Sequence, residues 1–182
     1  MIGTLLAVGL LVAVGTLAAI VWSIYLPEQR IWPPNHYTKR TPFLVWTPTF
    51  VLFGAIVAVG ILQWGQWTWP VWLRFGVGVP LIALGNLCVW FEVAKFGVAK
   101  TGGAGGSLRT SGLYRYSRNP QYVADCLMLT GWILLSASSG ATLLAVAGIV
   151  VLLAAPFAEE PWLIERYGQQ YRDYQKAVRR YL

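Results

Sequence analysis

Charge is scarce in this chain, and acidic charge most of all. Its 182 residues hold seven Asp and Glu against fourteen Lys and Arg, and charged residues of both signs make up 12% of the total. A water-soluble domain carries roughly a quarter charged residues, so a soluble globular fold is excluded. Histidine and cysteine are almost missing too. The single histidine, His36, sits in a Pro-rich loop with no acidic or histidine neighbours, a weak position for catalysis. Cys88 and Cys126 lie inside apolar stretches, far from any CxxC or Cys/His spacing. They leave no basis for a disulfide framework or a metal site and fit small apolar packing positions. No internal repeat and no separable soluble domain is visible, which argues against the repeat-built transporters.

What the chain does have is long apolar runs. Residues of hydrophobic type make up 57%. Crossing a hydrocarbon core takes roughly 20 helical residues, and five stretches predict spans near Ile2 to Leu26, Phe43 to Leu62, Trp72 to Phe96, Gln121 to Ala137 and Ala141 to Phe157. The first has no basic region ahead of it and is too long for the core of a signal peptide, so it reads as a retained helix. The last two are separated only by SASSG, Ser136 to Gly140, and predict a tight helical hairpin.

Basic residues alternate between the loops. Arg30, Lys39 and Arg40 lie in the first, none in the Gln63 to Val71 loop, and Lys100, Arg109, Arg115 and Arg118 in the third. The hairpin turn again has none, and the tail holds Arg166, Arg172, Lys176, Arg179 and Arg180. Short cytoplasmic loops collect Lys and Arg, so the pattern predicts five spans with the N-terminus outside and the C-terminus cytoplasmic. Orientation and anionic headgroups account for the positive excess, and nucleic acid is not needed as a partner. Past the last span, Leu163, Tyr167, Tyr171, Tyr174, Val178 and Tyr181 recur at steps of three and four, the stripe of one amphipathic helix lying on the membrane or folded back over the bundle. The expected fold is therefore all-α: a polytopic membrane helix bundle of about five transmembrane helices plus a C-terminal amphipathic cytoplasmic helix. It forms a single membrane domain, 1–182. Residues 1–96 supply three N-terminal spans with connecting loops, and residues 97–182 a Gly-rich loop, the hairpin and the C-terminal helix.

Two polar constellations interrupt the apolar background. GLYRYSRNPQY, Gly112 to Tyr122, gathers Arg115, Arg118, Tyr114 and Tyr122 around an Asn119–Pro120 helix start, where Asn caps free amides and Pro gives up an N–H that has no partner there. Glu159 and Glu160 follow directly on the apolar run ending at Phe157, and adjacent carboxylates at a membrane boundary need a compensating cation. A hairpin brings the two constellations side by side, so Arg118 and the glutamate pair are expected to meet. Arg109 reads as a headgroup contact. The GGAGG run, Gly102 to Gly106, follows a membrane helix and not a strand, so it is read as a flexible linker and not as a dinucleotide fingerprint.

GLYRYSRNPQY, the hairpin and EEPWLIERYGQQYRDYQKAVRRYL together resemble the isoprenylcysteine carboxyl methyltransferase and phospholipid methyltransferase superfamily of integral membrane enzymes. The resemblance implies methyl transfer from S-adenosylmethionine to a lipophilic acceptor, either a prenylcysteine-type carboxylate or a lipid amine, among membrane lipids. It places Leu108, Tyr114, Arg118, Pro120, Tyr122, Glu159 and Glu160 around the cofactor, and Arg118, Asn119 and Glu160 at the chemistry. Asn119 stands where the family usually has His, and Gly106 or its neighbours where it often has another, which leaves the proton acceptor unidentified. SRNPQYVAD, with Asp125, also resembles a block of membrane sterol and steroid reductases, making an NADPH-dependent reductase the alternative; those proteins usually run longer. A small transporter or non-catalytic membrane protein, using Glu92 and Lys95, is the second alternative.

Overall fold

The computed structural model describes residues 1–34, 38–96 and 106–182, without the side chains of residues 92, 93, 95 and 96. His36, most of the Gly102 to Gly106 run and the side chains of Glu92 and Lys95 thus lie outside the described residues. The helices are α1 (Ile2–Tyr25), α2 (Thr41–Leu62), α3 (Val79–Phe96), α4 (Pro120–Ser136), α5 (Ser139–Tyr167) and α6 (Gln169–Ala177), and no strand occurs among the described residues. A π-helical segment, Trp72–Gly78, leads into α3. Its wide turns come just before Pro80, which has no N–H to return to the preceding carbonyls.

Among the described residues, four helical stretches are long and apolar enough to cross a membrane: Ile2–Tyr25, Thr41–Leu62, Trp72–Phe91 and Ser139–Tyr167. The protein is an integral membrane helix bundle. The expected fourth span, α4, has 17 residues and stops about a turn short of a full crossing. It lies between α3 and α5, packed along both.

Lipid tails are as apolar as leucine, so packing rather than water exclusion must hold such helices together, and small residues let backbones approach. The α3/α4 seam is built this way. A Cβ added at Gly85 would stand 2.5 Å from the Ala124 carbonyl oxygen, and one at Gly131 would stand 2.6 Å from that of Gly78. Around this seam Ile56, Val59, Leu129, Ala141 and Leu144 join α2, α4 and α5 into one buried core.

The hairpin turn is tighter than its sequence spacing suggests. Ala137 takes a left-handed conformation (φ 50°), and the Ser138 side chain caps α5 by accepting from the Ala141 N–H. Neutral amides clamp the turn. Gln63 Oε1 accepts from Ser138 Oγ and the Gly140 N–H, both at 3.0 Å. Gln66 Oε1 accepts from the N–H and Oγ of Ser139. The Leu135 carbonyl takes two bonds from the Arg74 guanidinium, which lies over the Trp64 ring.

Two helix boundaries depart from expectation. The last span does not end at Phe157: α5 runs on through Glu159, Glu160 and Pro161 to Tyr167, with Pro156 and Pro161 inside it. Each proline removes one backbone donor, but the flanking LLAA and LIER runs are good helix formers and carry the helix across. The tail is also not one amphipathic helix. Gly168 (φ 57°) ends α5, α6 begins at Gln169, and Val178 is already extended, so Leu163 and Tyr167 lie on one helix, Tyr171 and Tyr174 on another, and Tyr181 on neither. Glycine is the residue that accepts this backbone at a helix end, and the four-residue step from Tyr167 to Tyr171 bridges the break by coincidence.

Candidate functional site

At the open end of the hairpin, α4 begins and α5 carries its glutamates past the apolar core. Glu160 is buried, 5% exposed, and a lone carboxylate there would be expensive. Arg118 Nη2 lies 2.9 Å from its Oε1, and Arg180 grips it with two bonds, Nε to Oε1 at 2.9 Å and Nη2 to Oε2 at 2.7 Å. Gln175 Nε2 adds a weaker contact at 3.3 Å. The bidentate fork is the geometry that suits guanidinium and carboxylate best. Its pairing with Glu160 keeps the Arg180 guanidinium protonated beyond the usual range, and the same group lies 4.1 Å over the Phe157 ring.

Glu159, next door, is held differently. Its Oε1 accepts from the Trp32 indole N–H at 2.7 Å and from the Tyr122 hydroxyl, and no cation reaches it among the described residues. The two adjacent glutamates are therefore unequal. Glu160 is saturated by two guanidiniums, while the Glu159 carboxyl has neutral donors alone, both on Oε1, and its Oε2 makes no hydrogen bond among the described residues. Arg118 mirrors this, since its Nε is buried without a hydrogen-bond partner.

The C-terminal strap after α6 closes over the start of α4. The Arg118 N–H donates to the Arg179 carbonyl at 2.9 Å; Ser117 Oγ and Asn119 Nδ2 both donate to the Arg180 carbonyl, at 3.3 and 3.0 Å. The Tyr181 hydroxyl donates to the Leu153 carbonyl. In α6, Tyr171 and Tyr174 are buried, and the Tyr174 hydroxyl donates to the Tyr114 carbonyl at 2.6 Å. Burial pushes the Tyr174 hydroxyl up to about 12 and that of Tyr171 further still.

Of the residues expected at the site, Arg118 and Glu160 are in contact, Tyr122 binds Glu159, and Pro120 is buried as the first residue of α4. Asn119 occupies the cap position of α4, but its side chain does not cap the helix; it ties down the strap. Tyr114 takes part through its carbonyl, and its ring faces the Arg109 guanidinium at 5.7 Å. Arg109 is half-buried there. Leu108, half-buried, stands one residue before it.

Sequence reading missed Trp32 and Arg180. Arg180 sat among the tail charges attributed to orientation, and Trp32 in a loop far away in sequence. The only hint of either was the need of two glutamates for more than one partner. The described residues hold no cluster of His, Cys, Asp and Glu able to bind a metal ion.

Residues 73–170 match the phospholipid methyltransferase family. A methanethiol S-methyltransferase from Bradyrhizobium diazoefficiens is 28% identical over 78% of this chain and 61% of its own length. A steroid 5-alpha-reductase, DET2, from Solanum lycopersicum is 27% identical over 59% of this chain and 42% of its own. The chain thus spans between about two fifths and three fifths of these curated relatives, and no solved structure matches it. The matched region runs from the π-helical lead into α3, across the α3/α4 seam and the hairpin, to the first residues of α6, and on that match the chain belongs to the phospholipid methyltransferase family.

Proposed function

We propose that the protein is an integral membrane methyltransferase that uses S-adenosylmethionine and acts on a lipophilic acceptor. The observation that carries this reading is the asymmetry of the glutamate pair. Glu159 offers a carboxyl without a cationic partner and with a spare oxygen, and half-buried Arg118, paired with the neighbouring Glu160, has a spare Nε. A cationic group and a carboxylate within one small molecule complement that pair, and the methionyl part of S-adenosylmethionine has both. The aromatic groups near Glu159, Trp32 and Tyr122, suit a sulfonium. When bound, the cofactor supplies an activated methyl group. The chain's own residues would orient it: Glu159 toward the cationic end, Arg118 toward the carboxylate, and the Arg180 strap as the cover that excludes water.

The family match and the methanethiol S-methyltransferase support this reading. The similarity to a steroid 5-alpha-reductase favours a second one, in which the same end of the bundle holds a nicotinamide cofactor. Calorimetry on the purified full chain separates them. We expect S-adenosylmethionine and its demethylated product to bind with similar strength and NADPH not to bind; binding of NADPH alone would install the reductase reading instead. We further propose that this end faces the cytoplasm. Cysteines placed at exposed Ser139 and Lys176 are expected to label from opposite sides, and labelling from one side would overturn that orientation.

A further inference from the structure

Trp32 enters the site from the loop after α1, outside the region, residues 73–170, that matches the family. How that loop is held decides whether its indole can be a fixed part of the site. The last turns of α1 run alongside it: Ile20 is buried against Ala155 and Ala158 of α5, and Tyr122 packs on the same cluster. Ser23 stands three residues on, on the same helix face, and is buried at 4% exposed.

The Ser23 hydroxyl donates to the Ala19 carbonyl at 2.7 Å and accepts from the N–H groups of Ile31 and Trp32, both at 3.0 Å. A hydroxyl has one proton and two lone pairs, so its whole hydrogen-bonding capacity goes into tying the loop to α1. The Trp22 indole N–H adds a bond to the Gln29 carbonyl at 3.2 Å. On the other side Arg30 Nη2 pairs with Glu165 Oε2 at 2.6 Å, in the same helix as Glu159. The loop is thus fixed to α1 through its backbone and to α5 through its side chains.

The simplest role for Ser23 is to satisfy two loop amides that would otherwise lack an acceptor. That role leaves out where the fixed backbone leads, for the second amide belongs to the residue whose indole holds Glu159. With its backbone pinned, the rigid Trp32 side chain delivers its N–H to Glu159 Oε1, the oxygen that also accepts from the Tyr122 hydroxyl. Two donors on one oxygen stop the carboxyl from exchanging its oxygens by rotation, and Oε2 keeps its capacity for a ligand.

We propose that Ser23 is a positioning residue of the cofactor site: it sets the Trp32 indole on Glu159 Oε1 and so presents Oε2 to the cationic end of the cofactor. This rests on the methyltransferase reading and adds that α1 and its loop, beyond spanning the membrane, build the site.

The test is a double-mutant cycle on the full chain in lipid nanodiscs, read by calorimetry with the demethylated cofactor. Trp32→Phe keeps an aromatic ring but removes the indole N–H, and is expected to bind about tenfold more weakly. Ser23→Ala is expected to weaken binding roughly fivefold to tenfold in the parent and less than about twofold in Trp32→Phe, where the loop has no donor left to place. Adenosine, which lacks the cationic end, should bind the parent and Ser23→Ala alike. A Ser23 that only satisfies amides would weaken both ligands, or act by the same factor with and without the indole. Either result, or unchanged affinity in Ser23→Ala, overturns the assignment while the methyltransferase reading stands. If Ser23→Ala does not fold, Ser23→Cys, of similar size but a weaker acceptor, runs the same cycle with the same outcomes. Failure of the parent to bind the demethylated cofactor would overturn both.

Discussion

The two ends of the α4/α5 hairpin face the same demand, to hold helix termini together where water is scarce, and meet it with different chemistry. The turn end uses neutral groups. Gln63, Gln66, Ser138 and Ser139 exchange hydrogen bonds around a single left-handed residue, and the one cation there, Arg74, spends two of its donors on a carbonyl. The open end uses charge: two guanidiniums on Glu160, and a second carboxylate left on neutral donors. The neutral network at the turn is closed except for the buried Ser136 Oγ, a neutral group, and it holds the fold. A charged one with an odd carboxylate and a spare guanidinium N–H is a fold element that still has binding capacity, which is why the site is assigned to that end.

The largest expected effect follows from removing the shared anion. Glu160→Gln leaves Arg118 and Arg180 facing each other without a counter-charge, and breaking a buried ion pair from one side costs about 3 to 5 kcal/mol. Thermal unfolding in detergent should show it. The matched change at the other end, Gln63→Ala, orphans two neutral donors and should cost about 1 to 3 kcal/mol with cofactor affinity unchanged. Equal losses from the two variants would remove the contrast on which the assignment rests.

Next in size is a change that should separate binding from stability. Glu159→Gln keeps an oxygen for Trp32 and Tyr122 but removes the uncompensated charge. Cofactor affinity is expected to fall about tenfold to a hundredfold by calorimetry, while the melting temperature hardly moves. Arg109→Ala, which removes a cation from the Tyr114 ring, should weaken binding less. A third, smaller loss is expected for Asn119→Ala, which leaves the Arg180 carbonyl to the longer bond from Ser117 Oγ, at a cost of about 1 kcal/mol. If Asn119 acted as a helix cap instead, the loss would come with fraying of α4 and no release of the strap, which proteolysis at the C-terminus would show.

The sequence makes the apolar architecture legible because membrane helices announce themselves by length and composition. The meeting of Arg118 with Glu160 is legible for a related reason, since acids at a membrane boundary must find a cation and the hairpin leaves few candidates; that Glu159 goes without one is not. What is not legible depends on contacts between distant segments. Arg180 and Trp32 carry no local pattern that separates them from ordinary tail charges and interfacial tryptophans. The run of α5 through Pro156 and Pro161 is hidden because proline is a local breaker whose effect packing and good helix-forming neighbours override. Tyr167 and Tyr171 show the reverse error, since a periodicity count cannot see that Gly168 has changed the helix axis between them.

The smallest effect asks whether a neutral bond at the charged end behaves like those at the turn. Tyr174 donates to the Tyr114 carbonyl, and burial raises its hydroxyl to about 12, above the usual value near 10. A group whose pKa is higher folded than unfolded adds stability below its unfolded value, and this is lost as pH rises toward the folded one. Between about pH 10 and 12 the unfolded chain gives up this proton first, so the parent should lose stability with rising pH in that window. Tyr174→Phe has no proton to lose there. It should begin about 1 kcal/mol less stable at neutral pH, from the missing hydrogen bond, and the gap to the parent should narrow across the alkaline window. Melting temperatures of the two proteins at pH 8, 10 and 11 measure this directly. A constant gap would mean that the Tyr174 hydroxyl is not held neutral by its surroundings and that the strap side of the site is open to water.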